Sequence, residues 1–232
     1  MMNKNMIVLP HIQAEFSYPL PDKELLLAGG GRPPAPEWLC AAASGRKLWC
    51  IDHGIDCCCR AGLLPQRLIG DGDSASPEAW HWAILHNVEI AKFPPEKDYT
   101  DTQLTLEMAA GENSFVILTA ALGGRFDHAY STIFSFGSSG LKGCIADDRE
   151  AVFFLHTEES VRLALAKKPK AISLLPVSAE VTGVSISGVH WELEDVVLTQ
   201  SCPYAVSNEA EENVLSVSVG MGILAVYICW QE

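Results

Sequence analysis

The pattern of apolar and polar positions changes character near residues 144–150. Before that point, short apolar runs alternate with segments of helical character, which is typical of a mostly parallel sheet with helices on both faces. The runs predicted as strands are 25–28, 48–51, 67–69, 88–90 and 115–120. We therefore predict an α/β domain over residues 1–146, with the three-layer α/β/α arrangement of a Rossmann-like fold.

Beyond that point helical signals almost vanish, and short apolar runs are separated by Gly, Pro and Asn turns. Residues 185–187 and 215–219 alternate polar and apolar side chains, as half-exposed strands do. The predicted strands are 151–155, 171–175, 181–186, 191–193, 196–198, 214–219 and 223–229. This pattern predicts a second, β-rich domain over residues 147–232, built as an antiparallel β-sandwich or barrel.

Two aspartates follow the third predicted strand. Asp71 and Asp73 are two residues apart, so in an extended chain both carboxylates point to the same side and can face one ion. Ser76 then reads as a helix N-cap and Pro77 as the first helical residue. The motif therefore places an acidic loop between a strand and a helix.

A second acidic pair surrounds another predicted helix start. Thr100 and Gln103 have the spacing of a capping box, and Gly111 suits the helix end. Asp98 and Asp101 then lie at the positive end of the helix dipole. One such aspartate is common for helix stability alone. Four aspartates beside strand ends and helix starts favour a metal site.

A glycine loop follows the last strand of the first domain. Gly123 and Gly124 precede Arg125, and a helix is predicted to begin at about Asp127. Strand, glycine turn and helix is the usual layout of a phosphate-binding loop. Asp127 is expected to orient Arg125 or to bind a ligand amine, and His128 to cap the helix or pack.

Charge and composition limit the partners. The chain of 232 residues has a net charge of -13, which argues against nucleic acid and anionic membranes as partners. Carboxylates and phosphates repel each other unless a cation such as Mg²⁺ lies between them. The motifs together predict a metal-dependent phosphotransferase. The chain shows no apolar run of about 20 residues and no credible signal peptide, so we expect a cytoplasmic protein.

Eight cysteines are present, and three of them are consecutive at 57–59. Their spacing contains no paired C-x-x-C frames of the kind that bind zinc. We predict reduced, partly buried thiols rather than a redox or metal site.

Taken in order, these motifs resemble the thiamine pyrophosphokinase family, and the resemblance runs nearly the full length of the chain. The chain departs from the common family pattern at His53, Gly72, Ala205 and Glu211, the last two in the part expected to contact thiamine. The segments that carry the resemblance are 48–54, 69–74, 96–102, 122–128, 172–176, 181–184, 188–193 and 207–209.

The resemblance implies that ATP donates a diphosphate to the hydroxyl of thiamine, giving thiamine diphosphate and AMP. It implies an ATP- and Mg²⁺-binding first domain, a thiamine-binding second domain, and a homodimer with the site shared between subunits. Which aspartate accepts the hydroxyl proton stays open. The implied metal ligands are Asp71, Asp73, Asp98 and Asp101, with Arg125 completing the catalytic set. The implied nucleotide contacts are Asp52, Gly123, Gly124, Arg125, Asp127 and His128, and the implied thiamine contacts are Ser207 and Asn208.

Two other functions fit the same residues. One is a Mg²⁺-dependent kinase or diphosphotransferase acting on a different heterocyclic alcohol, which the departures at Ala205 and Glu211 keep open. The other is a non-catalytic sensor that binds thiamine or a nucleotide, against which the intact set of aspartates argues. Trp191 and Tyr204 are read either as aromatic walls of a thiamine pocket or as packing residues of the β-rich domain.

Overall fold

The computed structural model describes residues 5–93 and 98–231, and the chain forms two compact units. The α/β unit comprises Asp22–Asp147, and the β unit comprises Met1–Pro21 together with Asp148–Glu232. The strands are β1 Met6–Leu9, β2 Ile12–Phe16, β3 Lys23–Ala28, β4 Lys47–Ile51, β5 Arg67–Ile69, β6 Glu89–Ala91, β7 Ser114–Thr119, β8 Gly143–Ala146, β9 Glu150–Leu155, β10 Ser160–Leu165, β11 Ala171–Pro176, β12 Glu180–Ser187, β13 Leu193–Thr199, β14 Val214–Ser218 and β15 Leu224–Cys229. The helices are α1 Pro36–Ala43, α2 Gly54–Ala61, α3 Pro77–Leu85, α4 Asp101–Ala110 and α5 Phe126–Ser138.

The sheet of the α/β unit is parallel, as the alternation of strands and helices predicts. Its strands lie in the order β8-β7-β3-β4-β5-β6. The chain starts at β3, runs outward through β4, β5 and β6, and returns to the other side of β3 with β7 and β8. The strand order therefore reverses between β3 and β7, and ligands of parallel α/β sheets bind at the carboxyl ends of the strands beside such a reversal.

Local sequence signals fix the helix starts that lead into this edge of the sheet. The Ser76 side chain accepts a hydrogen bond from the Ala79 N–H, which caps α3. Thr100 and Gln103 form the predicted capping box at the start of α4. Both caps satisfy backbone N–H groups that a helix leaves without internal partners.

The β unit contains two antiparallel sets of strands. One set has the order β1-β2-β10-β14-β12-β13, and the other has β11-β15-β9. The described part of this unit contains strands and no helix, as predicted. Of the two strands predicted at 191–193 and 196–198, Leu193 and residues 196–198 belong to one strand, β13, whereas residues 191 and 192 precede it.

The N-terminal residues differ from the predicted division into 1–146 and 147–232. Strand β2 pairs with β10, with Ile12 opposite Leu165 and Phe16 opposite Val161, so residues 1–21 belong to the β unit. In β1 and β2, buried side chains alternate with more open ones. Such alternation suits any sheet that has one buried face. Only the long-range pairing decides which sheet β1 and β2 join.

Strands β8 and β10 and helices α1 and α2 were also not predicted. Among the residues described, no helix combines the length and the apolar character that crossing a membrane requires.

Candidate functional site

A cavity of about 860 Å³ opens among the loops that follow the parallel strands. It is lined by the acidic loop after β5, the start of α4, the loop after β7 and the glycine loop after β3. The lining residues of predicted function are Asp52, Asp71, Asp73, Asp101, Gly123, Gly124, Arg125 and His128. Segments far apart in sequence thus meet because parallel strands end at one edge of the sheet.

Three of the four aspartates that line this cavity lie close together. Asp52, Asp71 and Asp73 each offer a carboxylate oxygen, and these oxygens lie within 4.8 Å of one another. Closely spaced carboxylate oxygens are the ligands that Mg²⁺ prefers. Sequence reasoning had assigned Asp52 to the nucleotide, and the structure places it beside the metal candidates.

The Asp52 carboxylate organises the acidic loop. One of its oxygens accepts a hydrogen bond from the Gly72 N–H at 3.1 Å, and the other accepts one from the Ser74 hydroxyl at 2.7 Å. Burial raises the pKa of Asp52 above its ordinary value, and these two hydrogen bonds counteract part of that effect. Asp52 also has a φ of 47°, an uncommon backbone conformation for a residue other than glycine.

The second acidic motif contributes unequally. Asp101 is half-buried, lines the cavity and is one of the charges that raise the pKa of Asp52. Asp98 is exposed and is not among the lining residues. Glu96 and Lys97, which belong to the same motif, lie outside the described residues.

The loop after β7 contains two glycines in a left-handed conformation. Gly123 and Gly124 both have a φ of 74°, a left-handed conformation that favours glycine. Arg125 donates from Nε to Asp127 at 3.1 Å, and this pair lies in solvent with 74% of the Arg125 side chain exposed. Its guanidinium holds the pKa of Asp127 below its usual range. Asp127 is therefore the partner of Arg125 and is not among the cavity-lining residues.

Sequence reasoning missed two parts of this cavity. Residues 29–32, the run Gly-Gly-Gly-Arg after β3, line it, and so does His53. His53 Nδ1 lies 3.1 Å from the Ser74 carbonyl oxygen and 3.2 Å from Asp56 Oδ2. The sequence did contain a signal for the first of these parts. Three glycines directly after a strand indicate that a ligand or another segment of backbone approaches the chain closely there.

A second cavity, of about 710 Å³, lies in the β unit. Ser207 and Asn208, the predicted thiamine contacts, line it together with Trp191 and Tyr204. More than half of each aromatic side chain is exposed. The aromatic residues thus form pocket walls here rather than core packing.

Asn208 uses its side-chain amide to hold the pocket wall. Its Nδ2 donates to the Trp191 carbonyl at 2.7 Å, and its Oδ1 accepts from the N–H groups of Trp191 and Glu209 at 3.1 and 2.9 Å. Its backbone exchanges two hydrogen bonds with Ile172. The Asn208 side chain therefore fixes the backbone at Trp191 through Oδ1 and one of its two Nδ2 hydrogens.

The residues that depart from the family pattern have defined local partners. The Ala205 carbonyl accepts a hydrogen bond from the Leu174 N–H at 2.8 Å, and Ala205 lines the same cavity. Glu211 lies 2.7 Å from His190 Nδ1. Ser207 has a φ of 59° and donates its N–H to the Ser173 hydroxyl.

All eight cysteines are free thiols, as predicted. Cys50 and Cys58 approach to 3.3 Å between their sulfur atoms. Burial raises the pKa of the Cys144 thiol to about 12, and hydrogen bonding among the thiols together with burial raises the pKa of Cys57 and of Cys58. A raised pKa favours the protonated thiol over the thiolate, which is the form that attacks disulfides and binds metals.

Comparisons with known proteins match both units. Residues 42–142 match the family model "Thiamin pyrophosphokinase, catalytic domain", and residues 156–224 match "Thiamin pyrophosphokinase, vitamin B1 binding domain". The chain is 24% identical over 204 residues to thiamine pyrophosphokinase of Bacillus subtilis, covering 86% of this chain and 94% of that protein.

It is also 23% identical over 169 residues to thiamine pyrophosphokinase 1 of Oryza sativa, covering 68% of this chain and 64% of the rice protein. The crystal structure of thiamine pyrophosphokinase from Bacillus subtilis superposes with a TM-score of 0.78 at 19% identity, over 90% of this chain and 100% of that one. The enzyme from Geobacillus thermodenitrificans superposes with a TM-score of 0.77 at 21% identity, over 90% and 98% of the two chains. These structures share the fold.

Proposed function

Because the chain belongs to the thiamin pyrophosphokinase family, we propose that it transfers a diphosphate from ATP to the hydroxyl of thiamine. The hydroxyl oxygen forms a bond to the β-phosphorus of ATP, and the bond from that phosphorus to the α,β-bridging oxygen breaks. The products are thiamine diphosphate, AMP and the proton of the hydroxyl. The proposal rests on one arrangement: an acidic cluster and a glycine-arginine loop line the same cavity at the carboxyl edge of the sheet.

We propose that Asp71, Asp73 and Asp101 hold Mg²⁺ in this cavity, with Asp98 close to the same helix start. The support for Asp71 and Asp73 is the spacing of the carboxylate oxygens of Asp52, Asp71 and Asp73, and the support for Asp101 is that it lines the same cavity. When bound, Mg²⁺ supplies the positive charge that makes these carboxylates compatible with phosphates and offsets the charge gathering on the phosphate oxygens. Asp52 keeps the acidic loop in place through Gly72 and Ser74.

The remaining groups of the cavity bind and orient the phosphates. The backbone N–H groups at Gly123 and Gly124 suit phosphate oxygens, and the Arg125 guanidinium offers a two-pronged contact. Asp127 orients that guanidinium, and His128 stands at the same helix start. One carboxylate of the cluster takes up the hydroxyl proton, and no contact of the site singles one out.

We place thiamine against the cavity of the β unit. A flat pyrimidine suits aromatic walls such as Trp191 and Tyr204, and a cationic thiazolium suits a chain with net charge -13. Ser207 forms part of the pocket floor, and Asn208 fixes the wall that carries Trp191. The match of residues 156–224 to the vitamin B1 binding domain supports the assignment of thiamine binding to the β unit.

We further propose that the active form is a homodimer, in which the β unit of one protomer completes the site of its partner. We also propose α/β/α layering for the α/β unit and a sandwich or barrel for the β unit. The parallel strand order and the two antiparallel sets of strands support these two assignments. The expected absence of nucleic-acid and membrane partners and the cytoplasmic location stay predictions.

The test is product identification by phosphorus NMR after incubation with ATP, Mg²⁺ and thiamine. The proposal expects AMP and thiamine diphosphate in equal amounts, and no turnover when a chelator removes Mg²⁺. ADP with thiamine monophosphate would instead indicate a kinase. Binding of both substrates without any product would indicate a sensor, and turnover only with another heterocyclic alcohol would move the acceptor away from thiamine.

A further inference from the structure

Arg32 lies where the strand order of the α/β unit reverses. It ends the run Gly29-Gly30-Gly31 that follows β3, and β7 is the neighbouring strand on the other side of the reversal. The two loops that leave β3 and β7 are joined by their backbones. The Gly31 N–H donates to the Ala120 carbonyl at 2.6 Å, and the Arg32 N–H donates to the Leu122 carbonyl at 2.9 Å.

The Arg32 side chain crosses the glycine loop after β7. A Cβ atom built at Gly123 would lie only 2.8 Å from the Arg32 Cβ and 3.1 Å from Arg32 Nη1. Gly123 therefore packs directly against the arginine stem and its guanidinium. The absence of a side chain at Gly123 leaves room for Arg32 to lie over the loop.

The far end of the side chain is anchored. Arg32 Nη2 donates to Asp147 Oδ2 at 2.8 Å, at the end of β8, which is the strand beyond β7. The Asp147 side chain is only 3% exposed, whereas that of Arg32 is 23% exposed and lines the 860 Å³ cavity. The buried Asp147 carboxylate thus fixes the Arg32 guanidinium at Nη2, while Arg32 also lines the 860 Å³ cavity.

This arrangement differs from that of Arg125. The Arg125–Asp127 pair is exposed, with 74% and 62% of the two side chains in solvent, so its orientation costs conformational entropy when a ligand binds. Arg32 is already ordered by Asp147 and by Gly123. A fixed charge that needs no reordering is the kind of group that stabilises phosphate charge most effectively.

We infer that Arg32 is a second phosphate-binding arginine, which contacts the polyphosphate chain of ATP and which Asp147 holds in place. The inference rests on the proposed function for the identity of the nucleotide. It also gives a role to the glycine run after β3, which lets the chain pass close enough to the loop after β7 for Arg32 to reach across it.

Calorimetry with Mg²⁺ and α,β-methylene-ATP tests the inference without turnover, because the bond that diphosphate transfer breaks is replaced in that analogue. We compare the wild-type chain with the double variant Arg32→Gln/Asp147→Asn, which removes the arginine without leaving a buried charge unpaired. The expected result is binding weaker by about tenfold or more, the loss expected for one hydrogen bond to a charged group. The affinity of Arg32→Lys for the analogue should fall between those of the wild type and the double variant, because an ammonium keeps the charge but lacks the planar fork.

Arg67→Gln is the matched control. Arg67 pairs with Glu89 at 2.7 Å and has a similar exposure of 24%, but it begins β5 and so lies at the opposite edge of the sheet. Its variant should bind the analogue as the wild type does. AMP, which lacks the polyphosphate chain, should bind the double variant and the wild type within about twofold of each other.

Unchanged affinity of the folded double variant for the analogue would overturn the inference and leave Arg32 with the structural task of neutralising Asp147. An equal loss for AMP and the analogue would overturn the assignment to the polyphosphate chain. If the double variant does not fold, Arg32→Lys takes its place, and its affinities for α,β-methylene-ATP and for AMP are compared with those of the wild type. A wild-type chain that binds the analogue but forms no thiamine diphosphate would refute the proposed function, while the binding constants would still decide the role of Arg32.

Discussion

Replacement of Asn208 by alanine should weaken the use of thiamine without affecting the use of ATP. The side chain makes three hydrogen bonds, two to the backbone of Trp191 and one to the N–H of Glu209. Each is worth about 1 kcal/mol net, and water replaces part of the loss because Asn208 is only half-buried. A total of about 1–2 kcal/mol corresponds to about a 5- to 30-fold rise in the KM for thiamine.

The assay follows AMP formation at saturating Mg²⁺ and ATP while thiamine is varied. Hydrogen exchange at residues 190–192 is measured alongside, because the Trp191 N–H in this segment loses its acceptor, Asn208 Oδ1, in the variant. Asn208→Asp retains the acceptor for both N–H groups but loses the donor to the Trp191 carbonyl, so we expect an intermediate KM. Faster exchange at 190–192 shows that the perturbation reached the wall of the pocket.

Asn5→Ala is the control for loss of a half-buried amide elsewhere in the same unit. Asn5 Nδ2 donates to the Phe16 carbonyl at 2.9 Å, and Asn5 does not line the cavity that contains Trp191. Its KM for thiamine should stay within about twofold of the wild type. The reasoning is refuted if Asn208→Ala accelerates exchange at 190–192 and yet leaves the KM for thiamine unchanged.

Three further predictions address the other parts of the site. Asp73→Asn or Asp101→Asn should nearly abolish turnover with an unchanged melting temperature, and near-normal rates at limiting Mg²⁺ would remove that residue from the metal set. Arg125→Ala should slow turnover by ~10²-fold, the scale for losing one charge stabiliser, with only partial recovery in Arg125→Lys; a twofold loss in steady-state kinetics would demote the residue to a structural role. Mixing an Asp101→Asn chain with an Asn208→Arg chain should restore about half of the wild-type activity per heterodimer, since one of its two sites joins two intact halves. Failure to recover activity after verified subunit exchange would argue against a shared site.

Local signals in the sequence predicted much of the α/β unit. The Ser76 cap and the Thr100–Gln103 capping box define helix starts through contacts three residues apart, which periodicity and residue type can reveal. The run Ser114–Thr119 is apolar because the strand is buried throughout, and that also can be read from the sequence. The acidic and glycine loops could be predicted for the same reason, since each occupies a short segment between a strand and a helix.

The N-terminal strands could not be assigned from local pattern. Residues 12–16 alternate apolar and polar side chains, and this pattern is compatible with pairing to any strand that offers an apolar face. Their partner, β10, is more than 140 residues away along the chain, as the contact between Ser17 and Ser160 shows with a separation of 143. Such pairing depends on the packing of the whole unit and carries no nearby sequence signal.

The sequence by itself therefore determined most of the strands, the acidic loops, the glycine loop after β7 and the family that the motifs resemble. Only the tertiary structure decided which of those groups act together. It placed Asp52 against the acidic loop, left Asp98 outside the cavity lining, and joined Arg32 to Asp147 across 115 residues of chain. Local chemistry is encoded in neighbouring residues, whereas the grouping of side chains at one sheet edge follows from strand order, which is fixed only when distant segments pair.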